Sequence, residues 1–231
     1  MTTDSPCRCK QTDRTRVARA VVLCACIGLV VLGVVGAWPH IFPKNFGVVV
    51  PDKIYRSGEL TVSALSRVVR AHNIRTIIDM GAYEPGTRED VLQAKTASAL
   101  GVERYVLRLE GDGTGDPTMY LESLRLMIDD SKLPMLIHCG AGSERTGCLV
   151  VLYRHLIQDV EIDRAYEEAR RYGHNPRRNT ILRPLIDYIV EPVRIAFEHD
   201  LPVVTLPDES KERGETTSGA ASVTTVSGPE S

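Results

Sequence analysis

Between residues 46 and 200 the apolar positions switch repeatedly between two spacings. Short runs rich in β-branched and other apolar residues read as strands: FGVVV (46–50), KIYRS (53–57), IRTIIDM (74–80), VERYVLRL (102–109) and LPMLIHC (133–139). Segments of helical period lie between and after them. TVSALSRVVRAHN (61–73) has Thr61 as N-cap and Val62, Leu65, Val68 and Val69 along one face. REDVLQAKTASALG (88–101) is stopped by Gly101. DPTMYLESLRLMIDDSK (116–132) opens with Asp116 as N-cap and Pro117 in the first turn. RTGCLVVLYRHLIQ (145–158) is almost wholly apolar, and DRAYEEARRYG (163–173) follows it. A last helix between residues 179 and 199 contains Pro184 and Pro192, which are expected to interrupt or kink it. Strands alternating with helices predict an α/β domain over residues 45–200, with a mostly parallel central sheet of about four to five strands flanked by helices.

The two ends of the chain read differently. Residues 1–19 are basic, with Arg8, Lys10, Arg14, Arg16 and Arg19. The uncharged run AVVLCACIGLVVLGVVGAW (20–38) follows, about long enough as a helix to cross a hydrocarbon layer of roughly 30 Å. It reads as a single-pass membrane anchor with Trp38 at the interface. A cleaved secretory leader ending at VGA (35–37) is the competing reading. The basic flank favours a cytoplasmic N-terminus and hence a domain on the non-cytoplasmic side, although Lys44, Lys53 and Arg56 weaken that bias. Residues 208–231 are polar and rich in small residues, and they read as a disordered tail.

Composition narrows the chemistry. The 231 residues carry a formal net charge of -2, which gives no reason to expect nucleic acid as a partner. Of the six cysteines, Cys7, Cys9, Cys24 and Cys26 precede or lie in the apolar run. Only Cys139 and Cys148 belong to the domain, so it has no disulfide framework, and each thiol there is either packing or chemistry.

Each of these two cysteines has an arginine six positions later. Cys148 and Arg154 fall within one predicted helix, where a separation of six points the side chains apart. That pair reads as coincidence, with Cys148 in the core and Arg154 in solvent. Cys139 and Arg145 are separated by a small-residue loop, Gly140, Ala141, Gly142, Ser143 and Glu144, between a buried strand and a helix. Ligands bind at such strand ends in open α/β sheets. Successive backbone N–H groups can turn inward there as an anion nest, the helix N-terminus adds partial positive charge, and Arg145 can grip two phosphate oxygens. The sulfur at the base is expected to react as the thiolate. His138 is expected to point to the other side of its strand and to orient the loop through hydrogen bonds. The Thr146 hydroxyl either reaches the sulfur or bonds to backbone in the first turn.

HCGAGSERTG (138–147) resembles the signature loop of cysteine-dependent protein tyrosine and dual-specificity phosphatases, with His138, Cys139, Gly142, Arg145, Thr146 and Gly147 at its fixed positions. VPDKIYRSGELT (50–61) and RTIIDM (75–80) look like the N-terminal half of the compact atypical dual-specificity type. The resemblance covers about residues 45–195. It implies a phosphatase-type α/β fold, a cysteinyl-phosphate intermediate, no metal or other cofactor, and an aspartate general acid on a loop before the signature strand. LEGDGTGDPT (109–118) supplies Asp112, which sits between glycines, and Asp116, which helix capping already explains; Glu110 is a third carboxylate. Asp112 is the first choice and Asp116 the alternative. Glu144 is acidic where relatives acting on inositol phosphates carry basic residues, which argues against a densely charged substrate. A phosphorylated protein, phosphotyrosine above all, or a small phosphomonoester is therefore expected. The group Arg170, Arg171, His174, Arg177 and Arg178 reads as a solvated helix end rather than a compensating rim. The competing functions are a rhodanese-like sulfurtransferase and a catalytically weak, membrane-tethered phosphate-binding module.

Overall fold

The computed structural model describes residues 19, 21–33 and 43–203. Its sheet has five strands, β1 (Gly47–Val50), β2 (Ile54–Ser57), β3 (Thr76–Asp79), β4 (Glu103–Val106) and β5 (Met135–His138). The spatial order is β1-β2-β5-β3-β4, with β1 antiparallel and the other pairs parallel. The α/β expectation and the strand count hold. The helices are α1 (Val62–His72), α2 (Arg88–Ala99), α3 (Thr118–Ile128), α4 (Glu144–Leu156), α5 (Ile162–Arg171) and α6 (Leu182–Glu198).

Side chains alternate across the sheet, so each strand feeds two cores. Ile54, Ile78, Met135 and Ile137 pack on one side with Tyr120, Leu124, Leu149, Leu152, Ile186 and Ile189 from α3, α4 and α6. Tyr55, Ile77 and Leu136 pack on the other with Leu65, Val68 and Val69 of α1 and Ala97 of α2. The register sets Ser57, His138, Asp79 and Val106 side by side, so four parallel strands end flush. The loops that follow them converge on one edge, the place where a ligand meets such a sheet.

Two sequence readings change in detail. Helix α6 runs unbroken through Pro192. Pro184 is the third residue of that helix, in the first turn, where no intrahelical N–H bond is due. The α3 helix starts at Thr118, not at Pro117, with the Asp116 carboxylate accepting from Thr118 N at 2.9 Å.

The described part of the apolar N-terminal run, 21–33, is helical and exposed. Among the described residues no helix is long and apolar enough to cross a membrane, so the transmembrane helix expected at 20–38 is not found there. Residue 20 and residues 34–38 of that run lie outside the described residues, as do residues 1–18 and the tail at 208–231.

Leu136 is fully buried in the central strand under α1 and α2. Leu136→Ala should lower unfolding stability by about 2–5 kcal/mol, as measured by denaturant titration. A change well below that range would show that the second core does not hold the sheet.

Candidate active site

Strand β5 ends at His138 and delivers Cys139 to the sheet edge, where it is buried. The five residues after it curl back so that Gly142 N donates to Cys139 Sγ at 3.2 Å. What turns the loop inward is visible on its outer side. Glu59 N donates to Gly140 O at 3.0 Å, Asn45 Nδ2 to Ala141 O at 2.9 Å, and Arg56 Nη2 to Gly142 O at 2.8 Å. Three successive carbonyls are thus held outward, and their amides are left to face the sulfur side. Gly142 makes this turn with φ +74°, and a Cβ there would lie 2.5 Å from Gly58 N. No side chain but hydrogen fits against the loop that follows β2.

Helix α4 begins at Glu144. Ser143 in the N-cap position makes no side-chain cap bond, so the first-turn amides are free for an anion. Gly147 lets α5 cross closely, for a Cβ there would lie 3.3 Å from the Ala169 Cβ. Arg145 leans back over the loop. Its Nη1 donates to Met80 O at 2.9 Å, to Gly81 O, and to Leu109 O at 3.4 Å, while its buried Nε has no partner. Thr146 Oγ1 is also buried without a partner, so neither hydrogen bond expected of it is formed.

His138 departs from its expected role. Its ring lies on the far face and is buried, but Nδ1 has no hydrogen-bond partner and Nε2 stands 3.9 Å from Asp79 Oδ2. Burial pushes its pKa down, so the ring is neutral, and it makes no bond to the loop. Asp79 does the orienting instead. It accepts from Gly81 N at 2.9 Å, Ala82 N at 2.7 Å and Arg104 Nη2 at 2.6 Å. Burial would raise its pKa, but His138 when protonated, the Ala82 amide and Arg104 outweigh that and hold it below the usual carboxylate range. Asp79 therefore shapes the turn whose carbonyls seat Arg145. The sign of this role in the sequence is the acid that closes the buried strand TIID (76–79).

Arg56 was missed for a similar reason, as a charge inside a four-residue strand. It is fully buried, with its guanidinium 4.0 Å from the centroid of the Tyr172 ring. Burial lowers its pKa to about 10, with the charge of Glu168 acting the other way, so it remains a cation at neutral pH.

The carboxylates of the preceding loop differ in placement. Asp116 is exposed and occupied with Thr118 N, and Glu110 is exposed. Asp112 is half-buried and lines a cavity of about 300 Å³ with Glu144, Arg178 and Asn179. Its Oδ1 accepts from Thr114 Oγ1 at 2.7 Å and from Thr114 N at 2.9 Å. These two bonds outweigh partial burial and hold its pKa below the usual carboxylate range, and the charge of Arg145 adds to them.

Glu144 does not present a bare negative charge to the loop. Its Oε2 lies 2.7 Å from His174 Nδ1 and accepts from Asn179 Nδ2 at 2.8 Å. The basic group is accordingly not all solvated helix end. His174 is buried against Glu144 and Arg178 reaches the cavity beside Asp112, while Arg170 stays exposed on the helix with Glu167 as its surface partner.

The second cysteine–arginine pair is structural. Cys148 is fully buried in α4, and burial pushes its thiol up to about 12. Arg154 is not solvated as expected: it pairs with Glu168 at 2.8 Å and donates to Val49 O at 2.9 Å.

The chain is 36% identical over 113 residues to inositol diphosphatase DSP3 of Arabidopsis thaliana, a match covering 47% of this chain and about half, 52%, of the relative. It is 31% identical over 153 residues to inositol diphosphatase DSP5 of the same plant, covering 64% of this chain and 71% of that one. The fold is shared with the catalytic domain of the PP-IP phosphatase SIW14 from S. cerevisiae, with TM-score 0.54 and 24% identity over 71% of this chain and 98% of that one. TpbA of P. aeruginosa is similar too, with TM-score 0.56 and 19% identity over 67% of this chain and 91% of that one. The sequence pattern described as the tyrosine phosphatase family matches residues 40–198, and the chain belongs to that family.

Proposed function

We propose that this chain hydrolyses phosphate esters through a covalent cysteinyl-phosphate at Cys139. The observation that carries the reading is the loop itself. A sulfur sits at the base of a ring of inward amides, under an uncapped helix N-terminus, with Arg145 held alongside. Such a cradle matches a phosphate in size and charge.

In the first step the Cys139 thiolate attacks phosphorus. The S–P bond forms, the P–O ester bond breaks, and Asp112 gives its proton to the leaving oxygen. In the second step the Asp112 carboxylate takes a proton from water as that water attacks phosphorus. The S–P bond then breaks, releasing phosphate and the thiolate. The inward amides, Arg145 and the first turn of α4 stabilise the charge on the phosphoryl oxygens throughout. Asp112 carries the acid role because it is half-buried in the cavity beside Glu144, whereas Asp116 and Glu110 face solvent. Its low pKa in the free protein opposes that role, but a bound phosphate dianion beside it pushes the pKa back up.

For substrate, a phosphomonoester such as phosphotyrosine remains the first reading. An inositol diphosphate is the second, and a specific observation favours it. The carboxylate of Glu144, which argued against dense negative charge, is turned into His174 and Asn179, while Arg178 lines the cavity beside Asp112. The curated relatives that carry the name inositol diphosphatase support the same reading.

The purified protein should release phosphate from a phosphotyrosine peptide or an inositol diphosphate in the presence of chelator and reductant, and Cys139→Ser should abolish turnover on both. The higher kcat/KM names the substrate class. Phosphate or vanadate binding without turnover would leave only the binding-module reading. Arg56→Met removes the donor that holds Gly142 O. Vanadate inhibition should weaken by about tenfold or more, a hydrogen bond to a charged group being worth roughly 1.5–3 kcal/mol. Unchanged vanadate affinity would mean that the loop holds its shape without Arg56. Thr114→Val deletes one of the two bonds that stabilise ionised Asp112, so its pKa rises. The fall in kcat with rising pH, read on phenyl phosphate, should move to higher pH, and a limb that stays in place would remove Asp112 from the acid role.

A further inference from the structure

The loop that carries Asp112 is rich in glycine. Gly111, Gly113 and Gly115 alternate through it, and Gly113 and Gly115 adopt φ of +102° and +123°. A stretch this permissive does not fix a carboxyl group by its own backbone preferences. Two consecutive carbonyls in it are nevertheless tied down from outside. Tyr120 OH donates to Gly113 O at 2.6 Å, and Asn179 Nδ2 donates to Asp112 O at 2.9 Å.

Asn179 does more than close a turn. The orientation of its amide is set by its oxygen, which accepts from Ile181 N at 2.9 Å and Leu182 N at 3.2 Å as α6 begins. Its nitrogen therefore faces the other way, with two hydrogens to give. One goes to Asp112 O and the other to Glu144 Oε2 at 2.8 Å. Glu144 is the first residue of α4 and the neighbour of Arg145. It is braced in turn by His174, whose other ring nitrogen lies 2.6 Å from Tyr166 OH. A single side-chain amide thus spans from the loop of the proposed acid to the helix end that closes the phosphate cradle.

We propose that Asn179 is a positioning residue for the reaction, setting where Asp112 stands relative to the bound phosphoryl group, with Glu144 as its anchor on the cradle. This inference rests on Asp112 as the acid. It gives Glu144 and Asn179 work in proton delivery, separate from substrate charge.

A leaving-group comparison separates this role from a structural one. Phenyl phosphate expels a phenol whose pKa, like that of tyrosine, is about 10 and which must be protonated as it leaves. The anion of 2,4-dinitrophenol leaves without a proton. Asn179→Asp keeps the oxygen that accepts from Ile181 N and Leu182 N but deletes the donor to Asp112 O. The kcat/KM of that variant on phenyl phosphate should fall by about 10- to 100-fold, the range that a displacement on the order of 1 Å produces. On 2,4-dinitrophenyl phosphate kcat/KM should change by less than about twofold, because it reports only the steps up to expulsion of the leaving group, where no proton is needed. Asn179→Ser, whose hydroxyl can accept at the helix start but cannot reach Asp112 O, should give the same pattern and serves if the aspartate variant does not fold. Equal losses on both substrates would overturn the inference in favour of a structural Asn179. No loss on either, with Asp112→Asn still selective for phenyl phosphate, would overturn it while leaving the acid assignment intact. An Asp112→Asn variant without that selectivity would overturn the acid assignment and this inference with it.

Discussion

The site depends on where three peptide carbonyls point. A short loop of glycine, alanine and serine has no side chains with which to define its own shape. Its form is imposed from behind, by Glu59 N, Asn45 Nδ2 and Arg56 Nη2 on the carbonyls of Gly140, Ala141 and Gly142. Each bond that holds an oxygen outward leaves an amide hydrogen inward, and the inward amides make the cradle. Arg56 bears the heaviest cost, because burying a cation away from water costs several kcal/mol. A charge-assisted bond to Gly142 O, the face of Tyr172 and the charge of Glu168 offset that cost.

The flush ends of the parallel strands make the arrangement economical. Ser57, Asp79, Val106 and His138 finish on one line, so the loops after β2, β3, β4 and β5 meet without long excursions. The loop after β2 packs under the signature loop, the loop after β3 seats Arg145, and the loop after β4 brings Asp112. The chemistry is distributed over distant stretches of chain, but every part lies within a few residues of a rigid strand.

Much of this was legible from the amino-acid pattern, because period and capping are local. Thr61 caps α1 as read, accepting from Ala64 N, and Gly101 with φ +69° ends the α2 segment. The strands were found by their β-branched runs, though each is shorter in the structure. The misreadings share a physical cause, since they concern polar side chains whose partners are far away in sequence. Glu144 reads along the chain as a bare negative charge because His174 and Asn179, which satisfy it, lie 30 and 35 residues on. Arg154 reads as solvated because Glu168 and Val49 O are invisible along its own helix. His138 was given an orienting role that belongs to Asp79, one strand over. Pro184 does not interrupt α6 because it falls in the first turn, a position that the sequence pattern alone does not fix.

The two arginines that follow the two cysteines end in opposite electrical circumstances. Arg154 meets a carboxylate, and its charge is cancelled within the fold. Arg145 rests on the carbonyls of Met80, Gly81 and Leu109, and among the described residues it has no acidic partner within salt-bridge distance. Neutral dipoles can hold a guanidinium in place without neutralising it. A phosphate arriving at Cys139 therefore does not have to displace a resident anion, and it meets a full positive charge already aimed.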